Sequence, residues 1–174
     1  MEIPDRPLVV RPGEGAPSGF GMVHKLAAGW FGGELAVLEG TIAPGQLIPP
    51  HTHTREDECS YVVSGELTFE VGGQIVTATA GCYVVKPRAI AHAIWNSGSE
   101  PARNMEIHVP GGFERHYDEM RELDVAGIEG DERRAAVADI QRRYGVIFHW
   151  DRIPALAAKH GLSLKPEPRS RSSP

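Results

Sequence analysis

Between Gly45 and Glu58 the chain reads Gly45-Gln46-Leu47-Ile48-Pro49-Pro50-His51-Thr52-His53-Thr54-Arg55-Glu56-Asp57-Glu58, and its donor groups are of the types that hold a transition metal. Side chains alternate faces along a strand, so His51 and His53 point the same way with their imidazoles close enough to chelate an ion. Glu58 lies at an odd offset from His53, and a straight strand would turn it to the opposite face. The polar segment Thr54 to Asp57 must therefore bulge or turn to bring Glu58 back to the histidines. A fourth donor, His92, sits in Lys86-Pro87-Arg88-Ala89-Ile90-Ala91-His92-Ala93-Ile94-Trp95-Asn96. What reads as two hairpins separates it from Glu58, and an antiparallel meander would return it beside the first strand.

Three neutral imidazoles and one carboxylate suit a single divalent Fe, Mn, Co, Ni or Zn ion. Four protein ligands on an octahedral ion would leave two cis positions for water, substrate or O2. A His-x-His pair alone on a strand is more often a surface or hydrogen-bonding feature; the spacing of the whole set argues for a metal centre.

The elements that must position these groups read as short strands. From Leu35 to Val109, runs of β-branched and aromatic residues recur between turn signals at Pro44-Gly45, Ser64-Gly65, Gly72-Gly73, Ala80-Gly81, Asn96-Ser97-Gly98 and Pro110-Gly111-Gly112. Strands so spaced, with no helical pattern between them, predict an all-β antiparallel sandwich or barrel. Residues 1–33, rich in Pro and Gly, read as an arm of edge strands. After Gly112 the period changes: Phe113, Tyr117 and Met120 fall at helical spacing, and a second helix opens near Asp131 and stops at Gly145. A third runs from Pro154 to His160, with Gly161 just past its end. The expected organisation is one domain over residues 1–163, comprising the arm, a barrel over 34–112 and a helical extension over 113–163. Residues 164–174, with Pro166, Pro168 and alternating Arg and Ser, read as a mobile tail.

Composition narrows the function classes. The 174 residues include 20 Gly and 14 Pro without a fixed period, which excludes collagen and agrees with many turns. Lys+Arg 18 against Asp+Glu 23 gives a net charge of −5 with no basic patch, so nucleic acid is not an expected partner. The start lacks a basic and apolar leader, no stretch approaches a membrane span, and two cysteines make no disulfide framework. The expected setting is the cytoplasm, away from membranes.

The metal-binding residues also reproduce two motifs, and through them the chain resembles the cupin superfamily. Gly45, His51, His53, Glu58 and Gly65 fall at the spacings of the first cupin motif; Gly81, Pro87, His92 and Asn96 fall at those of the second. Ala89 departs from the pattern by standing where the second motif has Gly, a position of positive φ. Val9-Val10-Arg11-Pro12-Gly13-Glu14-Gly15 before the barrel and Val109-Pro110-Gly111-Gly112-Phe113-Glu114-Arg115 after it resemble single-domain cupins similar to bacterial quercetin 2,3-dioxygenases. The resemblance implies a double-stranded β-helix, or jelly roll, with the metal on His51, His53, Glu58 and His92. It further implies a quercetinase-like dioxygenase in which Glu58 is ligand and catalytic base together, acting with O2 on a small aromatic or enolisable carbonyl compound. The same base on a redox-inert ion would serve an isomerase, decarboxylase or lyase; a small-ligand binder without turnover is the reading from a different class.

Strand parity extends the site. Ser60 and Val62 share the face of Glu58, and Ile94 that of His92, so these three are the expected substrate neighbours. Cys59 takes the opposite face and, like Cys82, reads as a small buried hydrophobe. Glu106 and His108 share one face of an alternating run, which either lines the cavity around the metal or, as the preferred expectation, meets solvent or an interface. His24, His116, His149 and His160 read as surface or core histidines, Trp95 as packing, and Phe113, Tyr117 and Met120 as core. Exposed strand edges in the arm predict a homodimer that completes the sheets.

Overall fold

A computed structural model describes residues 8–164, so residues 1–7 of the expected arm and residues 165–174 of the expected tail lie outside the described residues. In chain order the strands are β1 (Ala16–Pro17), β2 (Val23–Leu26), β3 (Ala36–Ile42), β4 (Leu47–His53), β5 (Asp57–Ser64), β6 (Glu66–Val71), β7 (Gln74–Thr79), β8 (Tyr83–Lys86), β9 (His92–Trp95) and β10 (Ala102–Val109). Helices α1 (Glu114–Val125) and α2 (Gly130–Tyr144) follow, then strand β11 (Val146–Phe148) and helix α3 (Ile153–His160). The fold is thus mostly β, with the helices gathered at the C-terminus as the change of period requires.

The strands form two antiparallel sheets, one in the order β1-β2-β3-β10-β5-β8 and the other β11-β4-β9-β6-β7. Consecutive strands from β4 to β9 repeatedly change sheets. Only β6 and β7, joined at Gly72-Gly73, form a hairpin between Glu58 and His92. The expected meander is therefore replaced by a jelly-roll crossing: β8 returns beside β5, and β9 inserts between β4 and β6. This crossing, rather than a meander, carries His92 to His51, its direct register partner.

Inside the barrel the lining grades from polar to apolar along the strands. On β5 the inward residues run Glu58, Ser60, Val62; on β10 they run His108, Glu106, Asn104, Ala102, and all are buried. The apolar end joins Ile42, Val62, Leu67, Phe69, Ala78, Ile94 and Ala102 in one cluster. Each fully buried large side chain there contributes about 1.5–3 kcal/mol relative to exposure, so this end closes the barrel and fixes the sheet spacing. Outside the second sheet, Leu47, Ala93 and Trp95 pack against Leu156 and Leu162 of the C-terminal segment. Trp95 is packing, as its parity predicts. Cys59 is half-buried, while Cys82 is exposed next to the edge strand β8, which corrects its reading as a buried hydrophobe.

β11 was not anticipated from the sequence, because three residues after a helix-stopping glycine carry no periodic signal. Gly145 has φ 66° and ends α2, and β11 then pairs with β4, with Val146 opposite His53 and Phe148 opposite His51. The metal-motif strand therefore gains a neighbour on each side.

Candidate metal centre

A one-residue irregularity in β4 aims the two motif histidines inward. Leu47 and Ile48 pair with Trp95 and Ile94, but the register then shifts so that His51, not Pro50, faces His92. The shift falls at Pro49-Pro50, where proline cannot donate to the ladder. Without it, the parity that sends Ile48 into the apolar cluster would turn His51 out. After His53 the chain turns through Thr54, Arg55 and Glu56 and resumes as β5 at Asp57, which restores Glu58 to the interior face.

One donor atom from each of His51, His53, Glu58 and His92 lies within 4.8 Å of the others. His51 is 7% exposed and the other three no more than 3%. The imidazole tautomers are set from behind. His51 Nδ1 donates to the Pro49 carbonyl at 2.7 Å and His92 Nδ1 to the Ile90 carbonyl at 3.2 Å, since a carbonyl can only accept. Each ring therefore keeps a bare lone pair on Nε2, and the two Nε2 atoms face each other at 3.1 Å. His53 Nε2 lies 3.5 Å and His92 Nε2 3.0 Å from Glu58 Oε2. Both nitrogens of His53 and Oε2 of Glu58 are buried without a hydrogen-bond partner. Buried lone pairs turned on one another and left unpaired are costly unless a cation lies between them. The donor set thus fits one divalent ion, and fixing each histidine by its second nitrogen is the usual way such rings are oriented.

Charges around the cluster are arranged to keep Glu58 ionised. Lys86, 1% exposed on β8, places Nζ 3.1 Å from Glu58 Oε2 and 2.7 Å from Glu106 Oε2. Burial works against its ammonium, but the Glu106 and Glu58 carboxylates outweigh it and raise its pKa above the ordinary lysine value. Burial likewise works against the Glu58 carboxylate, yet the Lys86 charge beside it holds its pKa well below the usual range. Burial, with the repulsion of neighbouring His92 and His53, holds His51 well below the ordinary imidazole pKa, and so neutral and free to coordinate.

The structure places Ser60, Val62 and Ile94 on the inward faces. Ser60 Oγ donates to Glu106 at 2.8 Å, and Val62 and Ile94 are part of the packed apolar cluster. Glu106 and His108 do not meet solvent or an interface: they are 4% and 0% exposed and directed into the barrel, opposite Ser60 and Glu58 in the register. Alternation gave their shared face correctly but not which face it was. The pairing of β10 between β3 and β5 decides that, and no local residue pattern reports it. Lys86 was missed altogether, because a lysine beside the turn at Pro87 reads as solvated unless its carboxylate partners are known. Phe113, expected in the core, sits edge-on to His53 with ring centres 4.2 Å apart, and Tyr117 stands behind it. Burial, with the Glu58 and Glu106 charges, pushes the Tyr117 hydroxyl well above its ordinary pKa. Asn96 of the second motif holds the turn after β9, its Nδ2 donating to the Ile42 and Glu100 carbonyls at 2.9 and 2.8 Å.

Residues 38–108, from β3 to β10, match the family model described as Cupin domain. A germin-like protein (subfamily 2 member 2) of Arabidopsis thaliana is 45% identical over 67 residues, covering 34% of this chain and 30% of that protein. The chain spans less than a third of the length of the curated relatives it matches. Among solved structures, a predicted oxalate decarboxylase of Thermotoga maritima superimposes with a TM-score of 0.56 at 23% identity, over 59% of this chain and 99% of that one. An uncharacterised double-stranded β-helix protein of Klebsiella pneumoniae gives 0.50 at 25% identity, over 63% and 93%. The domain match and these fold neighbours support placing the barrel in the cupin superfamily.

Proposed function

We propose that this protein is a metal-dependent cupin enzyme, and specifically a quercetinase-like oxygenase acting on a small aromatic or enolisable carbonyl compound. The observation that carries the reading is the inward convergence of three imidazoles and one ionised carboxylate, all buried, with both nitrogens of His53 and Oε2 of Glu58 lacking a hydrogen-bond partner. The resemblance of both motifs and of the flanking segments supports the oxygenase assignment. A bound divalent ion would supply Lewis acidity and, if redox-active, electron exchange with O2. His51, His53 and His92 would hold it. Glu58 would hold it through one oxygen and take the acidic C–H or O–H proton of the substrate, leaving an enolate or phenolate in the site. Ser60, Val62 and Ile94 are proposed as the substrate's neighbours on the barrel wall. Phe113 and the near-complete burial of the ligands favour a compact substrate.

A second reading, a non-oxidative isomerase, decarboxylase or lyase, uses the same base and is favoured by the Lys86 charge beside Glu58, which would stabilise an anion without any redox step. O2 uptake measured with a panel of flavonols and β-dicarbonyls on Fe-, Ni-, Mn-, Co- and Zn-loaded protein separates the two. The oxygenase predicts uptake with the redox-active ions and none with Zn; turnover without O2 consumption would transfer the assignment to the second reading. Glu58→Gln should lower turnover far more than metal content, and equal losses would remove the base role.

We propose also that the protein acts as a homodimer. The outer face of the six-stranded sheet carries Ile107, Cys59 and Val85 in one row across three strands, and Tyr83 and Val85 on the edge strand β8 are 66% and 64% exposed. Among the described residues no helix is long and apolar enough to cross a membrane.

A further inference from the structure

His108 is buried to 0% exposure at the polar end of the barrel, yet neither ring nitrogen has a hydrogen-bond partner. A neutral imidazole always carries one donor and one acceptor, and leaving such a group unpaired in an interior costs on the order of 1–3 kcal/mol. Leucine at this position would carry no such cost. The surroundings offer little relief. Phe113 and Tyr117 lie against the ring with centres 5.2 and 6.3 Å away, and His53 stands at 5.8 Å. Glu58 Oε1 lies 3.3 Å from His108 Nε2 without forming a hydrogen bond to it. His53 and His92 approach the other oxygen of Glu58, Oε2, and His108 is not one of the four residues whose donor atoms cluster. The ring therefore stands beside the metal centre without belonging to it.

Resting on the metal-centre reading above, we propose that His108 is a ligand-orienting residue: it donates a hydrogen bond to a small oxyanion, a carboxylate or enolate, bound at the positions the four protein donors leave free. The class of ligand follows from the groups that would meet it. A free position on a divalent ion takes an oxygen donor and an imidazole N–H donates to one, so together they select a small oxyanion. Phe113 behind the ring excludes water, which strengthens such a bond.

The test uses full-length protein loaded with Co(II), whose visible absorption bands respond to an added ligand, and formate as the anion. Formate is titrated into the parent, His108→Phe and His108→Asn, and cobalt content is measured for each. The proposal predicts unchanged cobalt content, formate binding weakened about tenfold or more in His108→Phe, and partial recovery in His108→Asn, which keeps a donor. Equal formate affinity in all three proteins would overturn it and leave the ring a packing group. Loss of cobalt in both variants would also overturn it, by making His108 a metal ligand. Failure of the parent to bind cobalt would instead defeat the metal-centre reading, a result distinct from either.

Discussion

His116 on α1 shows what burial costs an imidazole with no ion to bind. It is 2% exposed, stacked on Phe113 with ring centres 4.9 Å apart, and neither nitrogen is partnered. Burial lowers its pKa to about 4, with the nearby His53 and His108 adding to the effect. A folded-state pKa below the unfolded value of about 6.5 means that the unfolded chain takes up a proton first as pH falls. Stability is therefore full above pH 6.5 and is lost progressively down to about pH 4, by roughly 3 kcal/mol from this group. In metal-free protein, His116→Phe should shrink the difference between urea unfolding free energies at pH 7 and pH 4 by about that amount. An unchanged difference would show that His116 does not titrate as its burial requires.

At the scale of elements, the turn between β8 and β9 joins the second motif to the first. Ala89, in place of the motif's glycine, has φ 63°, the left-handed region that L side chains enter at a cost of about 1–2 kcal/mol. Its N–H donates to the His53 carbonyl at 2.7 Å, and the neighbouring Arg88 guanidinium clasps Asp57, so the strain is held where two metal-binding strands meet. Ala89→Gly should stabilise the protein by about 1 kcal/mol and raise its melting temperature by about 2–4 °C without altering metal content. No rise in melting would mean that the turn relaxes the strain elsewhere. This turn was readable from the sequence because motif spacing and backbone sterics agree on one residue. The helices were readable for a similar reason: Gly145 and Gly161 end them in left-handed conformation as their positions predict. What escaped reading depends on distant partners. The path of β6 to β9 between sheets, the inward face of Glu106 and His108, the burial of Lys86 and the pairing of β11 with β4 are each set by strands far away in the chain.

For the whole molecule, the barrel buries its charges and leaves an apolar sheet face outside. Tyr61 and Tyr83 pack together there with ring centres 4.7 Å apart beside exposed Val85, on an edge strand that offers unpaired backbone groups. The proposed dimer covers this face. Sedimentation equilibrium should give twice the chain mass for the parent, and the doubly charged variant Tyr83→Glu/Val85→Glu should sediment as a monomer with its metal content intact. A monomeric parent, or a variant that stays dimeric, would assign the face another role.

If His51, His53, Glu58 and His92 share one ion, metal analysis after reloading will show it. Full-length parent protein, stripped and then offered Fe, Ni, Mn, Co or Zn, should retain about one ion per chain of at least one of these metals. His51→Ala and His92→Ala, each folded by circular dichroism, should retain far less. A parent that holds no ion, or variants that match it, would mean that the four residues do not share one.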